Sequence, residues 1–228
     1  MIDPAGGSWY VERLTDELAH AGWEFFQWIE REGGQAAALR SGRLGQDLAR
    51  TWEARSAKLA ERREPVTGVS EFPNLAERLV ARLRPRTAVR RAAAVRRDEA
   101  FEVLRARSDA HLSATGSRPR IFLAALGPAA AHTARLTFAS NLFQAGGIEP
   151  VTEGAFEDSG ATEVCLCSSD TLYEERAAEV AGELKATGAG HVFLAGRPGQ
   201  YPDVDAYVFA GCDAVAVLSA TLDRMGVS

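Results

Sequence analysis

The residues best able to do chemistry sit in the second half of the chain, around one turn. The stretch "IFLAALGPAAAHTARLTFASNLFQAGG", residues 121–147, reads as a buried strand, a tight turn and a helix, the layout in which α/β proteins present a turn to a ligand. The turn itself, Gly127-Pro128-Ala129-Ala130-Ala131, carries no ionisable or nucleophilic group, and one histidine, His132, stands just beyond it. An imidazole there could ligate a metal, but a lone histidine at a helix start better suits a structural or surface role. Ser168-Ser169-Asp170 follows another apolar run and could mimic a turn that presents a serine nucleophile. It lacks G-x-S-x-G spacing, however, and nothing in the sequence assigns it a histidine. Gly196-Arg197-Pro198-Gly199 is a lone glycine turn, more often punctuation than a phosphate cradle, and the chain has no G-x-x-x-x-G-K-[ST] motif. Glu174-Glu175 read as a solvated early helical turn, favoured there by the helix dipole. The three cysteines, Cys165, Cys167 and Cys212, have no zinc-like spacing. They are expected to be free thiols, buried where they fall in an apolar run, in a reducing cytoplasm.

These groups need a scaffold, and the apolar pattern supplies one from Arg120 onward. Short apolar runs alternate with amphipathic ones: strands at 120–126, 148–152, 163–168, 191–195 and 213–218, and helices at 130–145, 171–187, 203–211 and 219–225. Continuous runs such as "IFLAAL" and "HVFLAG" suit strands buried on both faces of a parallel sheet. Strands alternating with helices indicate βαβ units. The expected fold for residues 118–228 is therefore α/β, a five-stranded doubly wound parallel sheet, flavodoxin-like in strand order. Ligands are expected at the carboxyl ends of its strands, in the turns after Leu126, Cys167, Ala195 and Leu218.

Residues 1–117 have a different texture and are expected to form a separate helical arm. Val11, Leu14, Leu18, Ala21, Phe25, Trp28 and Ile29 fall at three- and four-residue intervals, one continuous face of a helix. Ser8 suits its N-cap and Gly33-Gly34 its end. A second helical segment spans about 35–63, weakened around Gly42 and Gly45 and stopped by Pro65. Further helical patterns lie near 74–83 and 87–112. All four tryptophans (Trp9, Trp23, Trp28, Trp52) fall in this arm, an aromatic concentration that calls for a partner surface.

Bulk composition narrows the classes. Of the 228 residues, 46% are hydrophobic and 25% charged, ordinary for a globular protein. No apolar run reaches the ~18 residues of a membrane span. The start "MIDPAGGSWYVE" has no basic region followed by an apolar core, so no signal peptide is expected and the localisation points to the cytoplasm. The net charge of −5 divides unevenly, with +2 on residues 1–117 and −7 on 118–228. An acidic C-terminal half argues against nucleic acid, whose phosphates require a basic surface. The arginines at 90–91 and 96–97 belong to a first half well supplied with acids and read as a solvated or subunit-facing surface.

Several of these stretches carry a resemblance. "DPAGGSWYVERLTDELAHAGWEFFQWIEREGG" resembles the segment that follows the substrate barrel in the adenosylcobalamin-dependent acyl-CoA mutases, above all methylmalonyl-CoA mutase. "VTGVSEFPN" is similar to the linker that follows it in the small subunit of that family's heterodimeric bacterial members, and the region from Arg118 resembles the family's C-terminal cobalamin-binding domain. The resemblance covers nearly the whole chain. It implies that a (β/α)₈ barrel would precede "DPAGGS" in a complete subunit, so that the chain is expected to be a C-terminal portion without the acyl-CoA site. It also implies a D-x-H-x-x-G turn after the first strand, whose histidine ligates cobalt while the aspartate orients its ring. Anchored on Gly127, the aspartate falls at Ala129, the histidine at Ala131 and the last glycine at Ala134. His132 is one residue late, about 100° round a helix. The family's Ser-x-Leu after the third strand reads Cys167-Ser168-Ser169, its Gly-Gly after the fourth reads Ala195-Gly196, and its glycine-rich turn after the fifth reads Leu218-Ser219-Ala220-Thr221. The expectation is thus a site that kept its fold and lost its ligand. No catalytic residue is expected; His132, Ser168, Ser169 and Gly196 are only weak candidates for cofactor contact, and His132 for metal. Three functions compete: a non-catalytic mutase small-subunit portion that pairs with a catalytic large subunit, a module holding a corrinoid by another route, and a free-standing structural or regulatory domain.

Overall fold

A computed structural model describes residues 3–77 and 96–228. The chain divides into two compact units, residues 1–55 and 56–228.

In the first unit, α1 (Trp9–Arg31) begins after Ser8 and ends ahead of Gly33 and Gly34, both at positive φ, as the sequence pattern predicts. α2 (Gln35–Arg40) is short, and Gly42 (φ 76°) separates it from α3 (Arg43–Ala60). Gly45 lies inside α3, so the chain breaks at one of the two expected glycines. No residue of α1 is buried, and its rings pack on one another, Trp23 on Phe26 at 5.3 Å and Phe25 on Trp28 at 5.5 Å. Trp9 is 76% exposed and Trp23 59%.

The second unit holds the sheet. Its elements run α4 (Glu99–Thr115), β1 (Arg120–Ala125), α5 (Ala129–Ala145), β2 (Glu149–Val151), β3 (Glu163–Cys167), α6 (Asp170–Ala186), β4 (His191–Ala195), β5 (Ala206–Val208) and α7 (Ala214–Arg224). All neighbouring strands are parallel, in the order β2-β1-β3-β4-β5. The outer strands are brief, three residues each, and β2 contains Pro150. Because successive side chains of a strand point to opposite faces, each central strand feeds two cores. Ile121, Leu123, Cys165, Cys167 and Phe193 pack with Phe143 of α5, Leu218 and Leu222 of α7, and Phe101 and Leu104 of α4. Phe122, Ala124, Val164, Leu166 and Leu194 pack on the other face with Tyr173, Ala177 and Ala181 of α6. Cys165, Cys167 and Cys212 are free thiols, the first two buried. No helix among the described residues is long and apolar enough to cross a membrane.

Two expectations are corrected. Residues 203–211 do not form a helix: their centre is β5, an edge strand. Residues 213–218 do not form a strand: Ala214–Leu218 is the start of α7, which also takes in most of the helix expected at 219–225. The run "AVAVL" reads as a strand, yet its buried positions Ala214, Leu218, Thr221 and Leu222 recur at helical spacing, and Asp213 Oδ1 caps the helix by accepting from Ala216 N at 2.9 Å. The helix expected at 74–83 is not present at 74–77, and its remainder lies outside the described residues. That expected at 87–112 appears as α4 from Glu99, with 87–95 outside the described residues.

The boundary expected at 117/118 falls inside the second unit. α4 is tied to the sheet domain by Ser108 Oγ, which donates to Gly147 O at 2.7 Å, and by Arg107, which pairs with Asp223 at 2.5 Å and donates to Val227 O. Upstream, Phe72 N donates to Asn141 Oδ1 of α5 at 2.7 Å. Residues 56–228 should therefore melt cooperatively as a separate protein. Residues 118–228, stripped of Phe101 and Leu104, should bind a hydrophobic dye and aggregate. Within 56–228, Phe101→Ala should cost about 3–5 kcal/mol in a denaturant titration.

At the amino end of the sheet, the His191 ring packs edge-on to Phe193 at 4.6 Å, and its Nε2 is buried without a hydrogen-bond partner. Burial, and then the Arg224 charge, lower its pKa from the ordinary 6.5. The unfolded chain therefore binds more protons than the folded one below about pH 6.5. Stability should be intact above that pH and decline as the pH falls through it. His191→Phe should flatten the dependence of Tm on pH between about 7 and 5.5.

Candidate functional site

The sheet order places the switch in chain direction at β1 and β3, with the crevice outside their carboxyl ends. Four turns meet there: those after β1, β3, β4 and β5. After β1 the chain turns through Gly127 at φ 77°, and α5 starts at Ala129 behind Pro128. The first helical turn contains no acid. His132 Nδ1 lies 3.2 Å from the Gly127 carbonyl, so this nitrogen carries the proton and the ring reaches back across its own turn. Its partner is therefore a backbone oxygen where the family pattern has an aspartate.

Protein side chains pack closely in the crevice. Leu172 of α6 packs so tightly on Gly127 that an added Cβ would lie 2.5 Å from Leu172 Cδ1. Beside it, Tyr173 is 1% exposed, and its hydroxyl accepts from Ser168 N at 2.7 Å and stands 3.0 Å from the carbonyls of Leu166 and Ala195. Burial among these groups pushes the phenol pKa well up, keeping it neutral. The Arg135 guanidinium lies 5.1 Å from the centre of the Tyr173 ring and pairs with Asp170 at 2.6 Å. Burial opposes its charge, but the bond to Asp170 and the neighbouring Tyr173 outweigh it and raise the pKa.

The remaining candidates have structural duties. Ser168 is buried and its Oγ donates to Leu126 O at 2.9 Å, while Ser169 Oγ accepts from Leu172 N at 3.4 Å and caps α6. No histidine hydrogen-bonds either serine among the described residues. Gly196 donates to Val208 O at 2.9 Å, and a Cβ there would meet Leu194 at 3.0 Å and Arg135 at 3.4 Å. No group of three or more His, Cys, Asp or Glu side chains among the described residues could hold a metal. His132, Ser168, Ser169 and Gly196 thus surround the crevice, and its contents come from Arg135, Leu172 and Tyr173.

One element of the family comparison changes. Leu218-Ser219-Ala220-Thr221 lies within α7, and the turn after β5 is Phe209-Ala210-Gly211-Cys212-Asp213. It retains a glycine, Gly211, at φ 93°. The turns after β1, β3 and β4 remain where the sequence places them.

Tyr173→Phe keeps the ring, leaves the buried Ser168 N without its acceptor and removes the one hydroxyl proton shared between the Leu166 and Ala195 carbonyls. It should destabilise the protein by about 2–3 kcal/mol in denaturant unfolding, several-fold more than Tyr207→Phe, whose hydroxyl donates to one exposed carbonyl, that of Gly199.

The family model for methylmalonyl-CoA mutase matches residues 1–136. The chain is 64% identical to the methylmalonyl-CoA mutase small subunit of Streptomyces virginiae, over 100% of this chain and 39% of the relative. It is 40% identical to the probable small subunit of Mycobacterium bovis, over 99% of this chain and 38% of the relative. A stretch of 75 residues, 31% of this chain, is 40% identical to 10% of the methylmalonyl-CoA mutase large subunit of Streptomyces virginiae. The chain spans about two fifths of the length of the small subunits it matches. On the match of the family model over more than half of its residues, together with these relatives, the chain belongs to the methylmalonyl-CoA mutase family.

Proposed function

We propose that the chain is a non-catalytic small-subunit component of a mutase that interconverts methylmalonyl-CoA and succinyl-CoA, and that it pairs with a catalytic large subunit. The family is cobalamin-dependent, and we propose that this chain itself takes no cobalamin. The observation that carries the reading is the closely packed crevice. Arg135, Leu172 and Tyr173 pack together at the carboxyl ends of the strands, where a ligand of this fold is expected, and closely packed interiors do not admit added bulk cheaply. His132 supports it as well, since its Nδ1 is committed to the Gly127 carbonyl with no carboxylate to orient it.

The partner reading is supported by α1. An amphipathic helix with Trp9, Trp23, Phe25 and Phe26 all substantially exposed has the composition of an interface core, where aromatic anchors dominate binding. Mixed with the Streptomyces virginiae large subunit, the chain should co-elute in gel filtration. Trp23→Ser together with Phe25→Ser should weaken the complex at least tenfold. Incubated alone with adenosylcobalamin, the chain should elute without corrin absorbance and show no turnover of methylmalonyl-CoA. Corrin absorbance that co-elutes with the chain, with nitrogen coupling in the Co(II) spectrum that His132→Ala removes, would overturn the cofactor reading. Elution apart from the large subunit would overturn the pairing.

A further inference from the structure

A second concavity, of about 210 Å³, lies between α5, the turn after β5 and the segment ahead of Pro65. None of its lining residues belongs to the turns after β1, β3 or β4. Phe138, Leu142 and Phe209 make its walls apolar, and Arg62 provides its cation. The Arg62 side chain is 10% exposed. Its guanidinium carbon lies 5.9 Å from the centre of the Phe138 ring, and its Nε is buried without a hydrogen-bond partner. The ion partner, Glu71 Oε1, is 3.9 Å away, beyond hydrogen-bond range. Burial accordingly lowers the Arg62 pKa, with Glu71 only partly opposing.

An arginine so enclosed and so poorly paired is costly, because burial of a charge is repaid only by close, hydrogen-bonded partners. The backbone adds to the cost: Arg62 has φ 57°, a left-handed conformation that side chains other than glycine, asparagine and aspartate rarely adopt. The left-handed turn closes the end of α3, and burial leaves one poorly paired cation at the wall of an apolar concavity, a combination found at ligand sites.

We propose that this concavity binds a small organic monocarboxylate, with its carboxylate on the Arg62 guanidinium and its hydrocarbon body against Phe138, Leu142 and Phe209. The planar fork of a guanidinium matches a carboxylate, and the apolar walls favour an organic acid over a bare inorganic anion. Arg63 already pairs with Glu61, so a single carboxylate on Arg62 competes with the distant Glu71, whereas a second negative charge on the ligand would meet both acids. Asn141 uses its side-chain oxygen to accept from Phe72 N, which leaves its amide NH₂ as a further donor in the lining. Occupancy would therefore bind α5 to the segment between Arg62 and Phe72. The inference does not rest on the mutase reading.

The test uses the full chain and sodium butyrate, with sodium chloride and sodium phosphate at matched ionic strength. In proton–nitrogen spectra of the arginine side chains, the Arg62 Nε–H signal is recognised by its Overhauser contact to the Phe138 ring and by its loss in Arg62→Gly. Glycine accepts φ 57°, so this variant removes the side chain without backbone strain. Butyrate should shift the Arg62 signal saturably in the millimolar range. At tenfold excess over its dissociation constant it should raise Tm by about 3 °C in the parent and leave Arg62→Gly unchanged. An unmoved signal, an equal shift with chloride or phosphate, or equal stabilisation of Arg62→Gly would overturn the proposal.

Discussion

At the carboxyl ends of β3 and β4 the strands stop while their last backbone groups are still deep in the protein, and a buried polar group without a partner is expensive. One phenol resolves this. The Tyr173 hydroxyl accepts from Ser168 N and shares its one proton between Leu166 O and Ala195 O, each 3.0 Å away, and so links the two strands to the start of α6. Its position dictates its neighbours. Leu172, the preceding residue, is driven against Gly127, Arg135 lies over the tyrosine ring, and Gly196 must stay bare to make room. In a ligand-binding member of such a fold the crevice is closed by the ligand. Here the chain packs its own side chains at that end of the sheet, and a shared fold does not by itself carry a shared site.

The opposite end of the sheet is secured by charge. Glu163, buried at the start of β3, receives two hydrogen bonds from Arg224, at 2.8 and 3.1 Å, and the guanidinium carbon lies 5.4 Å from the centre of the Phe193 ring. Burial nevertheless outweighs the arginine and raises the Glu163 pKa. Asp205, ahead of β5, is held by Lys185 at 2.8 Å and by Val192 N at 2.8 Å; these bonds overcome its desolvation and lower its pKa. The amino end of the sheet is thus where pH acts, through His191, Glu163 and Asp205.

Much of the sheet domain was legible because its strands obey one simple rule. "IFLAA", "EVCLC" and "HVFLA" are continuous apolar runs, and burial on both faces requires that. The rule misled at the end of the chain, where "AVAVL" satisfies it equally well but lies behind Asp213, a helix cap. The turn Gly211-Cys212-Asp213 was the available signal: a glycine, then a capping acid, announces a helix. The alanines of the β1 turn, at positions where the resemblance implies binding residues, were also legible. What packs in the crevice was not. Arg135, Leu172 and Tyr173 converge from two helices across the sheet end, and no local pattern encodes that meeting. Arg62 was equally hidden: its left-handed backbone closes the end of α3, where Arg63 N donates to Lys58 O at 2.8 Å, but the concavity it lines is built with α5 and the β5–α7 turn, far off in sequence.

The edges of the sheet carry a consequence for assembly. A strand edge recruits another chain by offering a row of free N–H and C=O groups, and it must be long and regular to do so. β2 offers three residues, one of them Pro150 with no N–H, and β5 offers three before the chain turns into α7. Neither side can template an added strand, so the sheet is closed to growth by backbone pairing. Any assembly this chain enters must be written in side chains, on helices and loops, where specificity can be changed one residue at a time without disturbing the register of the sheet.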